Sequence, residues 1–466
     1  MKVFNTLGRE LQEFKPLHGK KVGMYSCGPT VYGLPHIGNF RSFFFADMIH
    51  RYLEYRGYEV NWVMNVTDID DKTIRDSIAA NMTLKDFTEK YAKVFLDGLE
   101  ALHINRPDVL PRATQHVPEM IALIEKLVEK GIAYQVGGSV YYSVRKFPDY
   151  GKLSQVDLSG LEAGHRVDVD EYEKDEPSDF ALWKASSQDE IARGIFFDTP
   201  WGKGKPGWHI ECSAMSTKYL GQPFDIHTGG VDLVFPHHEN EIAQSEGANG
   251  QQMVKYWLHG AHLVVDGAKM SKSKGNWFTL TDLLAKFDAD SIRYFFLETH
   301  YRQQLNYTNA SIENARLQAS KALLALENLD FFIENAGAGD AGELDGAIAQ
   351  RKREFTAAMD SDFDSPAALR AIHALASDVY KYVEKGKSRK ALEKARGALN
   401  ELLGVLGLFE RRGKASVPAE VKALVKERDA ARKAKDFKKA DALRDAIKAK
   451  GFLLDDFTEG TRARKA

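Results

Sequence analysis

Two short runs place the right kinds of side chain to handle a polyphosphate. Pro35-His36-Ile37-Gly38-Asn39 stands where an apolar run, Lys21 to Ser26, gives way to a helical pattern. The backbone N–H groups and the positive end of that helix would face whatever lies over the loop. His36 and Asn39 can donate hydrogen bonds to a phosphoryl group as its charge builds, and Gly38 lets the backbone come close. Alone, these residues are equally compatible with an ordinary helix cap. The second run, Lys269-Met270-Ser271-Lys272-Ser273 followed by Gly275-Asn276, is a small polar loop with two ammonium groups that could swing onto a polyphosphate and stabilise a leaving pyrophosphate. A solvated basic turn is the plainer reading, but the pairing of this loop with the His36 loop, on opposite halves of one α/β fold, weighs against it.

Cys27 and Cys212 are the only cysteines in 466 residues. They cannot make a disulfide framework, and in a reducing compartment a thiol or metal role is more natural than a bridge. Two cysteines so far apart are also compatible with simple core packing.

The elements that would position these residues follow from periodicity. Lys21 to Ser26 reads as a buried strand running into Cys27-Gly28-Pro29, and the following helix carries Phe40, Phe44, Met48 and Tyr52 on one row, ending at Gly57. Val60 to Val66 reads as a second strand closed by Thr67-Asp68-Ile69-Asp70-Asp71, the beginning of a βαβ layout whose ligands would bind at the carboxyl ends of the strands. From about Pro107 to Ser187 the pattern changes to that of an insertion: a helix from Val117 to Lys130, a Gly137-Gly138 hairpin, and an acidic stretch from Asp168 to Glu176. Phe224 to His227 resumes the strand signal, and Pro236 starts a helix over His237 to Ser245. Beyond Ser273 the chain reads as helical: Asp290 to His300, Ala310 to Asn328, then Ala347 to Leu406. A linker at Arg412 to Pro418 leads to a charged helical hairpin and the apolar Gly451-Phe452-Leu453-Leu454.

Composition sets the outer bounds. A chain of this length with 44% hydrophobic residues can build several packed cores, and the 28% charged residues stand beside 11% aromatics, which excludes general disorder. No apolar run approaches the ~18 residues that span a bilayer, and the N-terminus has no signal-peptide core, so a cytosolic protein without membrane contact is expected. The net charge of −2 hides an asymmetry: Arg411 to Ala466 holds 17 basic and 9 acidic residues, net +8, leaving −10 for the preceding chain. Such a tail suits either phosphate neutralisation on a nucleic acid or a solvated, salt-laced helix.

The two opening runs resemble the HIGH and KMSKS signatures of class I aminoacyl-tRNA synthetases. The flanking runs Cys27 to Tyr32, Thr67 to Lys72, Gly207-Trp208-His209-Ile210-Glu211-Cys212-Ser213 and Phe235-Pro236-His237-His238-Glu239-Asn240-Glu241, with the Ala434-Lys435-Asp436-Phe437 region, resemble the cysteinyl-tRNA synthetase family over nearly the whole chain. The resemblance implies an α/β fold: a split Rossmann (HUP-like) catalytic domain with a connective insertion, followed by an α-helical bundle and a small C-terminal anticodon-binding domain. Boundaries are expected at 1–110, 111–198, 199–260, 261–308, 309–408 and 409–466. It implies catalytic roles for His36, Asn39, Lys269 and Lys272, with Gly38, Gly230, Asp232 and Lys272 on ATP and Thr30, Thr67, Trp208 and His227 around the cysteine. It also implies one zinc ion on Cys27, Cys212, His237 and Glu241, with which the i, i+4 spacing of the last two agrees, His238 being the neighbouring non-ligand. Mg2+ with ATP, L-cysteine and tRNA(Cys) are the implied partners, and a monomer is expected. Asn39 departs from the signature, which ends in histidine, but keeps a donor. Two rivals stand beside this reading: the related ATP-dependent ligase that joins cysteine to an amino sugar in mycothiol synthesis, and a non-catalytic tRNA-binding paralogue.

Overall fold

The computed structural model describes residues 1–156, 178–270, 275–340, 342–384, 388–411, 417–457 and 460–465. The acidic stretch Asp168 to Glu176 and most of the Arg412 to Pro418 linker lie outside them.

An antiparallel hairpin, β1 (Lys2–Asn5) and β2 (Glu10–Glu13), opens the chain. Then β3 (Lys21–Ser26), α1 (Ile37–Tyr55) and β4 (Glu59–Met64) form a βαβ unit whose strands pair in parallel over their whole length. Helix α2 (Asp71–Ala79) starts at Asp70, whose carboxylate accepts the Thr73 N–H while Thr73 Oγ1 answers the Asp70 N–H. A helix over Leu84–Ala101 follows.

The sequence marks one apolar row on α1. The structure buries that row and nearly every other face as well, because the helix runs through the core of its unit. Its buried Asp47 is doubly paired: Arg51 Nε donates to Asp47 at 2.9 Å, and Arg293 Nη2 donates to the other Asp47 oxygen at 2.9 Å.

The insertion is more regular than its sequence suggests. After a helix over Val117–Glu129, the strands β5 (Ala133–Val136), β6 (Ser139–Tyr142), β7 (Phe180–Ala185), β8 (Phe197–Thr199) and β9 (Gly202–Pro206) make an antiparallel sheet in the order β5-β6-β7-β9-β8. The Gly137-Gly138 turn joins β5 to β6 with both glycines at positive φ, as a tight hairpin requires.

A helix over Trp208–Leu220 returns the chain to the core, and β10 (Phe224–Gly230) and β11 (Val254–Gly260) complete a parallel sheet ordered β11-β10-β3-β4. All seven β10 residues are buried, as in a parallel sheet covered on both faces. A buried ladder ties three strands near their carboxyl ends: Trp62 Nε1 donates to Ser26 Oγ at 2.9 Å, and Ser26 Oγ lies 2.7 Å from Thr228 Oγ1. Between β10 and β11, a wide turn over Val234–His238 leads into the helix Glu239–Asn249, so the regular helix begins two residues later than Pro236 suggests. A second small sheet follows, ordered β13-β12-β14 from β12 (Leu263–Val265), β13 (Ala268–Lys269) and β14 (Leu305–Tyr307).

The remainder is mostly helical. The Ala310 signal extends to one helix over Asn309–Asn335, and the expected single run from Ala347 to Leu406 is three helices, Asp345–Met359, Ser365–Val383 and Arg389–Val405. The first break falls at Asp362 and Phe363, both at positive φ, where Asp362 accepts from the Phe4 N–H and Tyr301 OH at 2.7 Å each. Two compact units result. One holds Met1–Leu317, Ala357–Ala367 and Val405–Gly407; the other holds Gln318–Thr356, Ala368–Gly404 and Leu408–Ala466. In the second, helices Ala419–Lys433 and Phe437–Ala449 pack on the hairpin β15 (Phe452–Phe457) and β16 (Gly460–Lys465) around Val421, Val425, Ile447 and Ala463. The architecture is that of a split Rossmann-like α/β domain with an insertion, followed by helices and a small C-terminal α/β segment, as expected.

Candidate metal centre and nucleotide site

The carboxyl ends of β3 and β10 bring the two cysteines together. Cys27 follows β3 directly, Cys212 comes from the helix Trp208–Leu220, and His237 and Glu241 come from the turn and helix after β10. Cys27 Sγ lies 3.8 Å from Cys212 Sγ and 3.6 Å from Glu241 Oε1, and His237 Nε2 lies 3.0 Å from Glu241 Oε1. One ligand atom from each of these four residues falls within 4.8 Å of the others. A second, overlapping group replaces Cys212 and His237 by His227 and His238.

Cys212, His237 and Glu241 are buried and Cys27 is partly exposed, and the charge of the cluster is arranged locally. Burial pushes the Cys212 thiol up, but the bond from Cys27 and the charge of His237 outweigh it and bring it to about 6. Burial opposes ionisation of Glu241 too, yet His227 and His237 draw it down to about 2. His237 rises to about 10 against its burial because Glu241 and Cys212 face it. Burial raises Cys27 well above the usual thiol range. Two thiols and an imidazole, whose protons a divalent cation would displace, beside an already ionised carboxylate are a donor set suited to zinc.

Each of the four also has an outer partner. His238 Nε2 lies 3.2 Å from Cys27 Sγ, His227 Nε2 donates to Glu241 Oε2 at 2.9 Å, and His209 Nδ1 stands 2.9 Å from His237 Nδ1. Tyr25, fully buried, borders Cys212. His238 is held in turn by His259, Nδ1 to Nε2 at 2.7 Å, and His259 by Thr6 at 2.7 Å. His227 was expected to line the cysteine pocket; the structure places its ring fully buried between Glu241 and a stacked Trp257 4.5 Å away.

The other pocket candidates converge on the same place. Thr30 and Thr67 pair across the ends of β3 and β4. Trp208 is half-buried, its ring 4.1 Å from that of His237. Gly28 N–H donates to Asn65 Oδ1 at 2.8 Å, Asn65 Nδ2 to Thr67 Oγ1 at 3.2 Å, and Thr67 Oγ1 to Glu211 Oε2 at 2.7 Å. A Cβ on Gly28 would stand 1.6 Å from the Asn65 carbonyl oxygen, so only glycine fits beside Cys27.

At the start of α1 the His36 run closes on itself. Asn39 N–H donates to His36 Nδ1 at 3.2 Å, and His36 N–H donates to Asn39 Oδ1 at 3.0 Å. The cap fixes the tautomer: with Nδ1 accepting, the proton sits on Nε2, free to donate outward. Burial lowers His36 to about 4, so the ring is a neutral donor at neutral pH. The cap and the functional readings of this run are thus compatible in one geometry. Gly230 belongs to the same corner, since a Cβ there would lie 2.5 Å from Asp232 Oδ1 and 3.7 Å from Ser42 Oγ of α1. Asp232 is exposed, 3.8 Å from His262 Nδ1. Lys269 ends β13 in an exposed position, its carbonyl accepting from Asn276 Nδ2 at 3.2 Å. Lys272 lies outside the described residues.

Several residues here carried little or no signal in the sequence. His209 and Glu211 sit inside the Gly207 to Ser213 run, but only the fold shows what they touch. His259 and Asn65 gave no signal, being isolated polar residues in apolar surroundings.

The chain is similar to known proteins along its whole length. The family described as tRNA synthetases class I (C) catalytic domain matches residues 13–317, the DALR domain matches 354–410, and the Cysteinyl-tRNA ligase anticodon binding domain matches 414–456. The chain is 49% identical to the Cysteine–tRNA ligase of Methanosarcina mazei over 100% of its own length and 99% of the relative's. It is 44% identical to that of Symbiobacterium thermophilum over the full length of both. Among solved structures, Mycobacterium tuberculosis methionyl-tRNA synthetase in complex with methionyl-adenylate shares the fold with a TM-score of 0.58 at 17% identity, over 83% of this chain and 89% of that one. A putative arginyl-tRNA synthetase from Campylobacter jejuni does so with a TM-score of 0.55 at 14% identity, over 85% and 94%. With its catalytic, DALR and anticodon-binding segments in family order, the chain belongs to the cysteinyl-tRNA synthetases, class I ligases that use ATP to join cysteine to tRNA.

Proposed function

We propose that this chain activates L-cysteine with Mg2+-ATP and transfers it to the 3′ end of tRNA(Cys), selecting the amino acid through a zinc ion held by Cys27, Cys212, His237 and Glu241. The observation that carries the reading is the gathering of both cysteines, one histidine and one carboxylate within 4.8 Å at the carboxyl edge of the sheet. Of the two overlapping groups, this one is favoured because two thiolates suit a soft, thiol-selecting metal better than one. His238 and His227 then act as hydrogen-bond partners of the ligands Cys27 and Glu241. When bound, zinc would stabilise the substrate thiol as an anion. Serine, with a harder and far less acidic hydroxyl, would gain nothing comparable, so selection needs no editing site.

The residues then divide the work. Thr30, Thr67 and Trp208 surround the amino acid, and His227 steadies Glu241 at the pocket floor. Gly230 and Asp232 receive the ATP ribose, and Gly38 admits the phosphates to the N-terminus of α1. The cysteine carboxylate attacks the α-phosphate, the bond to pyrophosphate breaks, and cysteinyl-adenylate forms. His36 Nε2–H, Asn39, Lys269 and Lys272 stabilise the charge that builds on the phosphoryl oxygens and the leaving pyrophosphate. A ribose hydroxyl of the terminal adenosine then takes the cysteinyl group and releases AMP. Positioning and charge stabilisation suffice, so no general base is assigned.

For tRNA, segments 111–198 and 261–308 would approach the acceptor stem, and 309–408 with 409–466 would reach the anticodon. Exposed lysines at 433, 435, 438 and 439 around Phe437, itself 63% exposed, support the second part, since aromatic faces flanked by cations bind unstacked bases. No helix among the described residues is long and apolar enough to cross a membrane. A cytoplasmic monomer completes the proposal.

The test is transfer of labelled cysteine to total tRNA with ATP and magnesium, with serine as the control. Cysteine on tRNA and no serine is the expected result. Transfer to an amino-sugar acceptor instead would replace this reading with the mycothiol-type ligase, and the absence of pyrophosphate exchange would leave a binding role only.

A further inference from the structure

Arg41 is a buried guanidinium held by peptide carbonyls. It lies on α1, 6% exposed, and all its hydrogen bonds among the described residues run to backbone oxygens: Nη1 to Ala261 and His262 at 2.7 Å each, and Nη2 to Gln303 at 2.6 Å. Burial brings it down to about 10, so it stays charged at neutral pH. A cation kept out of water for three carbonyls needs a reason, and the reason lies in what those carbonyls belong to.

Ala261 and His262 are the two residues between β11 of the central sheet and β12 of the small sheet, and Gln303 precedes β14, which pairs with β12 from Leu263↔Leu305 to Val265↔Tyr307. Strand β12 folds back into β13 through Asp266 and Gly267, both at positive φ, and β13 ends at Lys269. Arg41 therefore grips the root of the hairpin that presents Lys269. The same helix grips the far side of that loop with its first turn. Ile37 N–H donates to the Phe278 carbonyl at 3.0 Å, His36 pairs with Thr279, and the His36 ring meets Trp277 edge-on at 4.5 Å. On the near side, a Cβ at Gly38 would stand 2.7 Å from Met270 Cε. The two grips are four residues apart on α1, about 6 Å along its axis.

We propose that Arg41 is a positioning residue for adenylate formation: it pins the Lys269-bearing hairpin to α1, so that the lysine loop and the His36 cap address the same phosphates at a fixed separation. This rests on the role given above to the Lys269 loop. Lysine cannot replace arginine here, because a single ammonium on a flexible stem lacks the planar fork that spans three oxygens in fixed directions. Displacement of a charge-stabilising group by about 1 Å is enough to slow a step by roughly a hundredfold. Arg41 touches neither the metal ligands nor the threonine pocket in the contacts described, so its loss is felt by the triphosphate and spares the thiol.

The experiment is ATP–pyrophosphate exchange by the full-length, zinc-loaded chain carrying Arg41→Lys, with Arg41→Gln beside it. For Arg41→Lys, kcat falls by about ten- to a hundredfold and KM for ATP rises. KM for cysteine stays within about twofold of the unsubstituted value, and transfer from preformed adenylate to tRNA is slowed by less than about threefold. If Arg41→Gln fails to fold, Arg41→Lys still decides. Exchange by Arg41→Lys at the unsubstituted rate would overturn the proposal. So would equal losses in cysteine affinity, which would mark a general scaffolding role. An unsubstituted chain that shows no exchange at all would overturn the function reading, and this one with it.

Discussion

Around Cys27, Cys212, His237 and Glu241 all the ionisable groups but the partly exposed Cys27 are buried, and each bonds or borders a specific neighbour: His238, Tyr25, His209 and His227. In the helical pair Ala419–Lys433 and Phe437–Ala449 the cations are spread over the surface, with Lys422, Lys426, Lys433, Lys435, Lys438, Lys439, Arg444 and Lys448 all exposed. The first arrangement suits a ligand of one size and one kind of atom, because a dry site fixes geometry and makes every unpaired charge costly. The second suits a long polyanion, whose affinity accumulates from many solvated contacts and tolerates small displacements. One chain thus uses charge once for chemical selection and once for reach. Substitutions in the two regions should differ in kind as well as in size.

The largest effect is expected at a ligand. Cys212→Ser should abolish stoichiometric zinc, read by elemental analysis, and reduce cysteine-dependent pyrophosphate exchange by more than the ~10–100-fold typical of an outer-shell partner. Zinc retained at one per chain would break the contrast, since the second histidine-containing group would then be the site. His36→Ala should follow, lowering kcat for exchange by about 10²–10³ with little change in KM for cysteine. Its pH dependence sharpens the assignment. Because burial lowers His36 to about 4, its neutral form persists from pH 6 to 9, so the rate should show no step from this residue there, and protonation should be felt only as the pH falls through about 4. A histidine step near pH 6.5 that disappears in His36→Ala would contradict the burial.

The outer shell comes next. His227→Ala should weaken zinc binding by about tenfold, measured against a competing chelator, because Glu241 then loses the donor that fixes its second oxygen. In the tail, Phe437→Ala should raise KM for tRNA by roughly tenfold, an effect of ~1–3 kcal/mol for one stacked base, and leave pyrophosphate exchange at its original rate. A parallel fall in exchange would mean that the two regions are not independent.

The smallest effect concerns stability of the tail. Arg428 is buried and makes a two-pronged pair with Asp456, whose carboxyl it holds well below the usual range, with Thr461 completing the site. A depressed carboxyl contributes stability above its ordinary pKa near 3.8 and loses it as the pH falls toward the folded value. Asp456→Asn should therefore lower the melting temperature slightly at pH 7 and flatten its decline between pH 4 and 2. An unaltered acid profile would show that the pair contributes nothing measurable, as exposed pairs often do.

Much of the catalytic half was legible as pattern. The strand Lys21–Ser26 has the limits its apolar run suggests, and α1 ends before Gly57, which takes the positive φ that stops it. In the insertion the helix after Val117 and the Gly137-Gly138 hairpin were legible but the five-stranded sheet was not, because its strands are short and β7 pairs with β6 across nearly forty residues of chain, a distance no local periodicity encodes. The break at Asp362–Phe363 was not expected either, although Asp360, Ser361, Asp364, Ser365 and Pro366 are residue types that stop and restart helices; contacts from Phe4 and Tyr301 hold it open. At the site, the set Cys27, Cys212, His237 and Glu241 came from the family resemblance, with which the i, i+4 spacing of His237 and Glu241 agreed, and spacing alone does not set His237 apart from His238, three residues from Glu241. Only their neighbours differ: His209 for one, His259 for the other.

The sequence by itself determined the family, the order of segments and the chemical inventory, because these depend on residue types at fixed separations along the chain. The tertiary structure decided which side chains share a dry cavity and which face water. It closed the distance of 185 residues between Cys27 and Cys212 to 3.8 Å, gave Arg41 three carbonyls from segments more than 200 residues away, and left Phe437 exposed among lysines. Such contacts are set by how a parallel sheet stacks its carboxyl ends and by what its crossovers bury, and neither can be read from neighbours in the chain.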